Sequence, residues 1–208
     1  MAAEQGTIGW LLERNGHVTA SEFDCIVKTP RKSEGFTDSA MTYLYKLMGE
    51  HCAGFPDDDF ESFAMKRGSE LEPQAREDYM WATGNPVATC GFQKHPTELW
   101  IGSSPDGLVG KEGIIEIKCP LTYQHHMKVI DSGEVPPEHY AQCQGNLWVT
   151  GRSWCDFISY DPRMKKTGMQ IVVVRVLRDC SYVETLEERV CRFRDLLIEK
   201  LVKKGIVP

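Results

Sequence analysis

The 208-residue sequence lacks several features that would assign it to a specialised class of protein. It contains no run close to the roughly 18 consecutive apolar residues that a membrane-spanning helix requires. Its first residues show no basic segment followed by a long apolar stretch, so we expect no secretory signal peptide. Internal repeats and low-complexity tracts are also missing. A soluble cytoplasmic protein is therefore the expectation.

The sequence also lacks paired cysteines. It has eight cysteines, none of which forms a C-x-x-C pair: Cys25, Cys52, Cys90, Cys119, Cys143, Cys155, Cys180 and Cys191. Without close pairs or a secretory context, neither a structural zinc site nor a disulfide framework is expected. We expect reduced, mostly buried thiols that act as small apolar groups. An iron–sulfur cluster held by widely spaced cysteines is the remaining alternative.

An excess of positive charge is missing as well, because the formal net charge is −6. This balance excludes a protein that coats nucleic acid nonspecifically, but it does not exclude a nucleic-acid enzyme with a local acidic metal site. Three short basic clusters occur at 28–32, 163–166 and 200–204. Each of them by itself is typical of a solvated surface.

The composition and the hydrophobic pattern predict one α/β domain over residues 1–208, with a mixed central sheet flanked by helices. Hydrophobic residues make up 41% of the chain and charged residues 26%, as in ordinary globular proteins. Thr19 with Glu22 has capping-box spacing, which predicts a helix start there, and Pro73 is expected to kink or divide a helix. Periodicity predicts helices over 41–48, 61–83, 135–149 and 184–204, and strands over 99–103, 113–118, 154–160 and 169–176.

Two carboxylates and a lysine surround a glycine-bracketed turn in the segment 103–120. Side chains alternate along a strand, so Glu116 and Lys118 should project together while Ile115 and Ile117 enter the core. We expect the strand over 99–103 to pair with 113–118 at a sheet edge and to bring Asp106 beside Glu116.

Two adjacent carboxylates repel each other unless a cation lies between them. Their hard oxygens suit Mg²⁺ or Mn²⁺, which can polarise a phosphate and generate hydroxide from bound water. Lys118 could orient that water or offset charge on the phosphate. Asp106, Glu116 and Lys118 thus form a minimal phosphodiesterase site, and the alternative is a surface hairpin with ion pairs.

Six blocks of the sequence carry a likeness to a known family: 18–22, 67–72, 103–109, 115–120, 140–150 and 160–165. In these blocks, which follow the family's order, the chain closely resembles the phage lambda exonuclease family, the YqaJ-like viral recombinases among the PD-(D/E)xK nucleases. The resemblance implies a restriction-endonuclease-like core.

The resemblance also implies roles for individual residues. Asp106 and Glu116 would bind the metal, with two ions per site and the Ile117 carbonyl completing one of them. Lys118 would act on the nucleophilic water. Glu72 and Gln142 would face the same centre, although each could instead be an ordinary polar helix residue.

Five further residues would contact DNA by the same resemblance. Arg14, with Ser21 and Ser104 beside it, would bind the terminal 5′-phosphate, since a guanidinium binds a phosphate dianion bidentately. Arg31 would enter the minor groove. Met65 would separate the terminal base pair, although a helical methionine is otherwise usually a core residue.

The implied activity is a Mg²⁺-dependent, processive 5′-to-3′ exonuclease on linear double-stranded DNA, in which Mn²⁺ could substitute. The enzyme would release mononucleotides, leave 3′ overhangs, and act as a homotrimeric ring with a single-strand annealing protein in a bacterial host cell. The alternatives are a structure-specific or restriction-type endonuclease, which shares the same triad, and a catalytically silent DNA-binding module.

Overall fold

A computed structural model describes residues 3–30, 35–56 and 63–206 of the chain. Seven α-helices lie in these ranges: α1 Ile8–Arg14, α2 Phe23–Val27, α3 Asp38–Ala53, α4 Phe63–Thr83, α5 Tyr123–Ser132, α6 Pro137–Thr150 and α7 Cys180–Lys203. The strands there are β1 Val18–Thr19, β2 Val87–Ala88, β3 Gln93–Lys94, β4 Ile101–Ser103, β5 Gly107–Val109, β6 Gly113–Lys118, β7 Trp154–Tyr160 and β8 Ile171–Leu177. Short 3₁₀ helices cover Ala20–Glu22 and Pro162–Thr167.

The larger sheet has the order β2-β5-β6-β7-β8 and is mixed, because β6 and β7 run parallel while the other pairs are antiparallel. A second sheet has the order β1-β4-β3. Strand β6, which carries Glu116 and Lys118, is the middle strand of the larger sheet. The expectation that these residues lie at a sheet edge is therefore wrong.

The predicted pairing of the strand over 99–103 with β6 is also wrong. Strand β4 pairs with β1 and β3 in the smaller sheet, and the antiparallel partner of β6 is β5. Chain proximity favoured a direct hairpin, but the parallel β1–β4 pair joins segments distant in sequence. Asp106 directly precedes β5, the partner of β6, and its carboxylate accepts from the backbone N–H of Ile117, next to Glu116 as expected.

Both faces of β6 are covered, so its side chains enter two separate parts of the core. Ile115 and Ile117 pack in a cluster that includes Ala75 and Tyr79 of α4. On the opposite face, Ile114 packs in a cluster that contains residues of α6 and β7. Glu116 follows the same alternation as Ile114 and therefore faces α6.

Helix α4 is tied to the larger sheet through a buried carboxylate. The Tyr79 hydroxyl donates to Asp156 Oδ2 on β7 at 2.7 Å, and Arg175 of β8 donates to both oxygens of the same carboxylate. A buried charge is stable only when it is paired and hydrogen-bonded. Asp156 therefore keeps Tyr79 of α4 and Arg175 of β8 close to β7.

The helix predictions are confirmed in position, with two differences in detail. Helix α4 continues through Pro73 without division. Thr19 precedes a 3₁₀ helix and makes no side-chain cap, because its hydroxyl contacts Ser21 and Tyr43 instead. Helix α7 buries five apolar residues spaced along one of its faces: Leu186, Val190, Phe193, Leu197 and Leu201.

All eight cysteines are free thiols, as expected, but only Cys143 and Cys155 are fully buried. Cys52 lies off the buried face of α3, which includes Leu47 and Glu50, and Cys180 is the first residue of α7; both are exposed. The expectation of mostly buried thiols is therefore wrong. Within 3–30, 35–56 and 63–206, no helix is both long enough and apolar enough to cross a membrane.

Candidate active site

A cleft of about 1710 Å³ is lined by all five residues that the sequence analysis assigned to catalysis: Glu72, Asp106, Glu116, Lys118 and Gln142. They come from four parts of the fold. Glu72 is on α4, Asp106 precedes β5, Glu116 and Lys118 are on β6, and Gln142 is on α6. Packing of α4 and α6 against the sheet therefore assembles the site.

Asp106 is fixed against β6 by two hydrogen bonds. Its Oδ2 accepts from the backbone N–H of Ile117 at 2.6 Å, and its own N–H donates to the Ile115 carbonyl at 3.1 Å. Burial, followed by the negative charges of Glu116 and Glu72, raises the pKa of Asp106 well above its ordinary value. The site thus concentrates negative charge that a cation would relieve.

The Glu116 carboxylate is 1% exposed and is hydrogen-bonded at both oxygens. Lys118 Nζ donates to Oε1 at 2.7 Å, and Asn146 Nδ2 of α6 donates to Oε2 at 2.8 Å. Burial acts to lower the pKa of Lys118, but the Glu116 and Asp106 carboxylates outweigh it and raise that pKa above its ordinary value. Lys118 is therefore a firmly protonated ammonium group.

Glu72 is held at the site by an interaction with Arg76, one turn further along α4. Arg76 Nη2 donates to Glu72 Oε1 at 2.5 Å, and its Nε donates to the Asp106 carbonyl at 3.1 Å. Burial raises the pKa of Glu72; the Arg76 charge opposes that rise and the Glu116 charge adds to it. Arg76 thus ties the helix that carries Glu72 to the turn that carries Asp106.

The donor chemistry of this site fits a hard divalent cation. In the described ranges, no group of three or more His, Cys, Asp or Glu side chains is placed so that it could hold a metal ion. Mg²⁺, however, is commonly bound through one or two carboxylates, with water and substrate phosphate as the other ligands. Asp106 and Glu116 supply two carboxylates whose mutual repulsion is reflected in the raised pKa of Asp106.

A smaller pocket of about 140 Å³ brings together the three residues predicted to bind a terminal phosphate. Arg14, Ser21 and Ser104 line it, and Gln142 and Asn146 contribute to it from α6. Because Gln142 also lines the large cleft, the two cavities lie side by side.

Trp10 organises this smaller pocket, which we call the phosphate pocket after the role predicted for its residues. Its indole N–H donates to Ser104 Oγ at 2.9 Å, and the Arg14 guanidinium carbon lies 4.6 Å from the centroid of its ring. A guanidinium over an indole face is a favourable cation–π arrangement.

Two predicted DNA contacts are not tested by the geometry. Arg31 lies outside the described residues. Met65 falls within α4, but its side chain also lies outside the described part of the structure. Both roles stay predictions.

Sequence reasoning missed three residues of the site: Trp10, Arg76 and Asn146. Arg76 follows Glu72 at the i,i+4 spacing of helical ion pairs, which is a signal that could have identified it. Asn146 follows Gln142 at the same spacing and so lies on the same face of α6. Nothing in the sequence marks Asn146 as the donor to Glu116.

Comparisons with known proteins bear on the family and the fold of this chain. The YqaJ-like viral recombinase domain matches residues 9–153. The crystal structure of an alkaline exonuclease (LHK-Exo) from Laribacter hongkongensis is 39% identical, with a TM-score of 0.85 over 96% of this chain and 98% of that one. A phage-related exonuclease from Haemophilus somnus 129PT is 20% identical, with a TM-score of 0.66 over 89% of this chain and 96% of that one, and shows the fold alone.

Curated relatives match smaller regions. A protein designated ExoD from Escherichia coli K12 is 36% identical over 69 residues, which are 33% of this chain and 77% of the relative. A mimivirus protein, R354, is 23% identical over 168 residues, 74% of this chain but only 29% of the relative. The mixed sheet flanked by helices and the match to LHK-Exo confirm the predicted restriction-endonuclease-like α/β fold. The chain belongs to the YqaJ-like viral recombinase family.

Proposed function

We propose that this protein is a Mg²⁺-dependent exonuclease that digests linear double-stranded DNA from 5′-phosphorylated ends. It releases mononucleotides and leaves 3′ single-stranded overhangs. The observation that carries this proposal is the meeting of Glu72, Asp106 and Glu116 with the Lys118 ammonium group in one cleft. Membership of a viral recombinase family and 39% identity to an alkaline exonuclease support a DNA exonuclease.

Release of mononucleotides has support of its own. LHK-Exo was also solved in complex with dAMP, and that structure has a TM-score of 0.84 to this chain. A deoxynucleoside monophosphate is what an exonuclease yields when it removes one nucleotide at a time.

The roles of the acidic residues follow from their contacts. Asp106 and Glu116, with the Ile117 carbonyl, would hold one or two Mg²⁺ ions, and Mn²⁺ could replace them. When bound, such ions polarise the scissile phosphate and lower the pKa of a water ligand. Glu72 adds a third carboxylate to the same cleft, where Arg76 fixes its orientation.

Lys118 and Gln142 act on the reacting groups. The Lys118 ammonium group, held by Glu116, is placed to orient the nucleophilic water and to offset charge that develops on the phosphate. Gln142 lines both cavities, so its amide can contact the terminal nucleotide between its 5′-phosphate and the scissile phosphodiester.

The phosphate pocket accounts for the polarity of digestion. Arg14 supplies a guanidinium and Ser21 and Ser104 supply hydroxyls, a set of groups that suits a phosphate dianion. A terminal 5′-phosphate in this pocket would position the next phosphodiester in the adjoining cleft. Arg31 in the minor groove and Met65 as a wedge at the terminal base pair complete the proposed DNA contacts.

The assembly and the partner follow from the family resemblance. We propose a homotrimeric ring that encloses DNA and delivers the overhang to a single-strand annealing protein during phage-type recombination in the bacterial cytoplasm. Enclosure retains the substrate without tight phosphate binding, which suits a net charge of −6.

One time course tests reaction class, polarity and dependence on ends. Linear duplexes labelled at the 5′ or the 3′ end and a closed circular duplex are incubated with Mg²⁺ or with EDTA. We expect early release of the 5′ label as mononucleotide, late loss of the 3′ label, an intact circle and no reaction in EDTA. Cleavage of the circle would instead identify an endonuclease.

A further inference from the structure

Asn146 makes a contact with Glu116 that the proposed catalytic roles do not use. Its side chain lies on α6, is 1% exposed, and donates from Nδ2 to Glu116 Oε2 at 2.8 Å. A carboxylate accepts hydrogen bonds and does not donate them, so the amide nitrogen must face Glu116. The contact therefore joins a neutral donor to a buried negative charge.

This contact fixes the Glu116 carboxylate without neutralising it. The terminal torsion of a glutamate side chain is soft and roughly two-fold, so the carboxylate plane needs external contacts to be held. Asn146 holds Oε2 and Lys118 holds Oε1. Because the amide carries no charge, the negative charge on Glu116 stays available to attract a cation, whereas a second lysine would cancel it.

Asn146 also links the large cleft to the phosphate pocket. It lines the phosphate pocket with Arg14 and Ser104, while its amide contacts the carboxylate in the cleft. One turn earlier on α6, Gln142 lines both cavities. The relative position of the two cavities therefore depends on where α6 places these two amides.

We propose that Asn146 is a positioning residue, which orients the Glu116 carboxylate for metal binding and sets its distance from the phosphate pocket. This inference rests on the proposed function. Asn146 acts on the reaction through its hydrogen bond to Glu116.

The test uses the full-length protein and two readouts, one of which needs no catalysis. Asn146→Leu keeps the branched shape of the side chain and removes the donor. Mn²⁺ binding to the DNA-free protein is followed by calorimetry and by the EPR signal of free Mn²⁺. We expect binding about 10- to 100-fold weaker, the range found when a partner of a metal ligand is removed. In the digestion assay, kcat should fall while KM for 5′-phosphorylated ends stays unchanged.

Gln144→Leu is the matched control. Gln144 is also a buried amide of α6, but it donates to the Leu177 carbonyl and accepts from the Asp179 N–H, on the side away from Glu116. It should lower Tm and leave Mn²⁺ affinity and kcat as in the wild type. If Asn146→Leu does not fold, Asn146→Ser, which retains a shorter donor, replaces it and should weaken Mn²⁺ binding to an intermediate degree.

The outcomes distinguish failure of the positioning role of Asn146 from failure of the proposed exonuclease function. Wild-type Mn²⁺ affinity in the folded Asn146 variant, or equal weakening in Gln144→Leu, would overturn the positioning role and leave the exonuclease assignment intact. A wild-type protein that binds no Mn²⁺ and digests no DNA would instead overturn the proposed function.

Discussion

At the scale of single residues, loss of the Lys118 side chain should reduce DNA cleavage and leave DNA binding unchanged. Its ammonium contacts Glu116 and lies in the field of Asp106, so it balances part of the charge concentrated in the cleft. Lys118→Ala should reduce cleavage of linear duplex by about 10²- to 10⁴-fold, the range for groups that act on a proton in the transition state. Single-turnover digestion measures the loss, and fluorescence anisotropy of a labelled DNA end should show unchanged binding.

Lys111 provides the control for this substitution because it is an exposed lysine in the turn between β5 and β6. Lys111→Ala should digest DNA at the wild-type rate. Unchanged turnover in Lys118→Ala would contradict the role given to that lysine.

Arg14 makes a second prediction at this scale, which concerns selectivity rather than rate alone. A charge-assisted bond to the terminal phosphate contributes about 1.5–3 kcal/mol, or roughly 10- to 100-fold in rate. Arg14→Ala should therefore slow digestion of 5′-phosphorylated ends by about that factor and change digestion of 5′-hydroxyl ends far less. Equal losses on both substrates would show that Arg14 does not read the phosphate.

The sequence was sufficient to predict Asp106, Glu116 and Lys118 as residues of the site, but not Arg76 or Asn146. Asp106, Glu116 and Lys118 stand out because charges at alternate strand positions beside a turn are unusual in a chain that must bury its strands. Asn146 does not stand out, because a polar residue in a helix is ordinary and its burial depends on how α6 packs on the sheet. Non-local packing of this kind leaves no local pattern.

At the scale of elements, α6 carries a titratable group whose charge state is set by its docking on the sheet. The His139 ring stacks on Phe157 of β7, with centroids 5.5 Å apart and an interplanar angle of 24°. Burial, and then the positive charge of Lys118, lowers the pKa of His139 to about 4. A histidine in the unfolded chain has a pKa of about 6.5, so the unfolded state binds more protons between these values.

The fold should therefore lose stability as pH falls from about 6.5 toward about 4, because protons bind preferentially to the unfolded chain. His139→Gln should reduce this loss by about 1–2 kcal/mol, less than the full shift implies because the ring is half-buried. Urea unfolding at a series of pH values measures the effect. His125→Gln, at an exposed position on α5, should leave the pH dependence unchanged, and an unchanged slope in His139→Gln would contradict the argument.

Elements with strong periodicity could be predicted closely, and short ones could not. The bounds of β6 and β7 agree with the prediction because apolar residues fill most of their positions. Strands β1, β2 and β3 have two residues each, which is too short for any period to show. Helix α5 was missed because it buries only His126 and Val129.

At the scale of the whole molecule, the distribution of charge bears on how the enzyme would stay on its substrate. The net charge is −6, and the described site itself gathers three carboxylates in one cleft. Retention by phosphate contacts alone would fall steeply with salt, since each contact releases counterions. An acidic protein that digests long DNA without dissociating needs another means of retention, and enclosure in a ring supplies one.

The resulting prediction concerns two steps that the experiment measures separately: loading of the protein onto DNA, and digestion of that DNA. Linear duplex is bound in EDTA, Mg²⁺ is added together with excess heparin as a trap, and release of nucleotides is followed at low and at high salt. We expect digestion to continue in the presence of the trap at a rate that changes little with salt. Loading beforehand should weaken steeply as salt rises, because only loading depends on the free energy of phosphate contacts. Native mass spectrometry should give three copies of the 23.6 kDa chain. Digestion that stops when heparin is added, from a protein with the mass of one chain, would show that each cut requires a new encounter and that no ring retains the DNA.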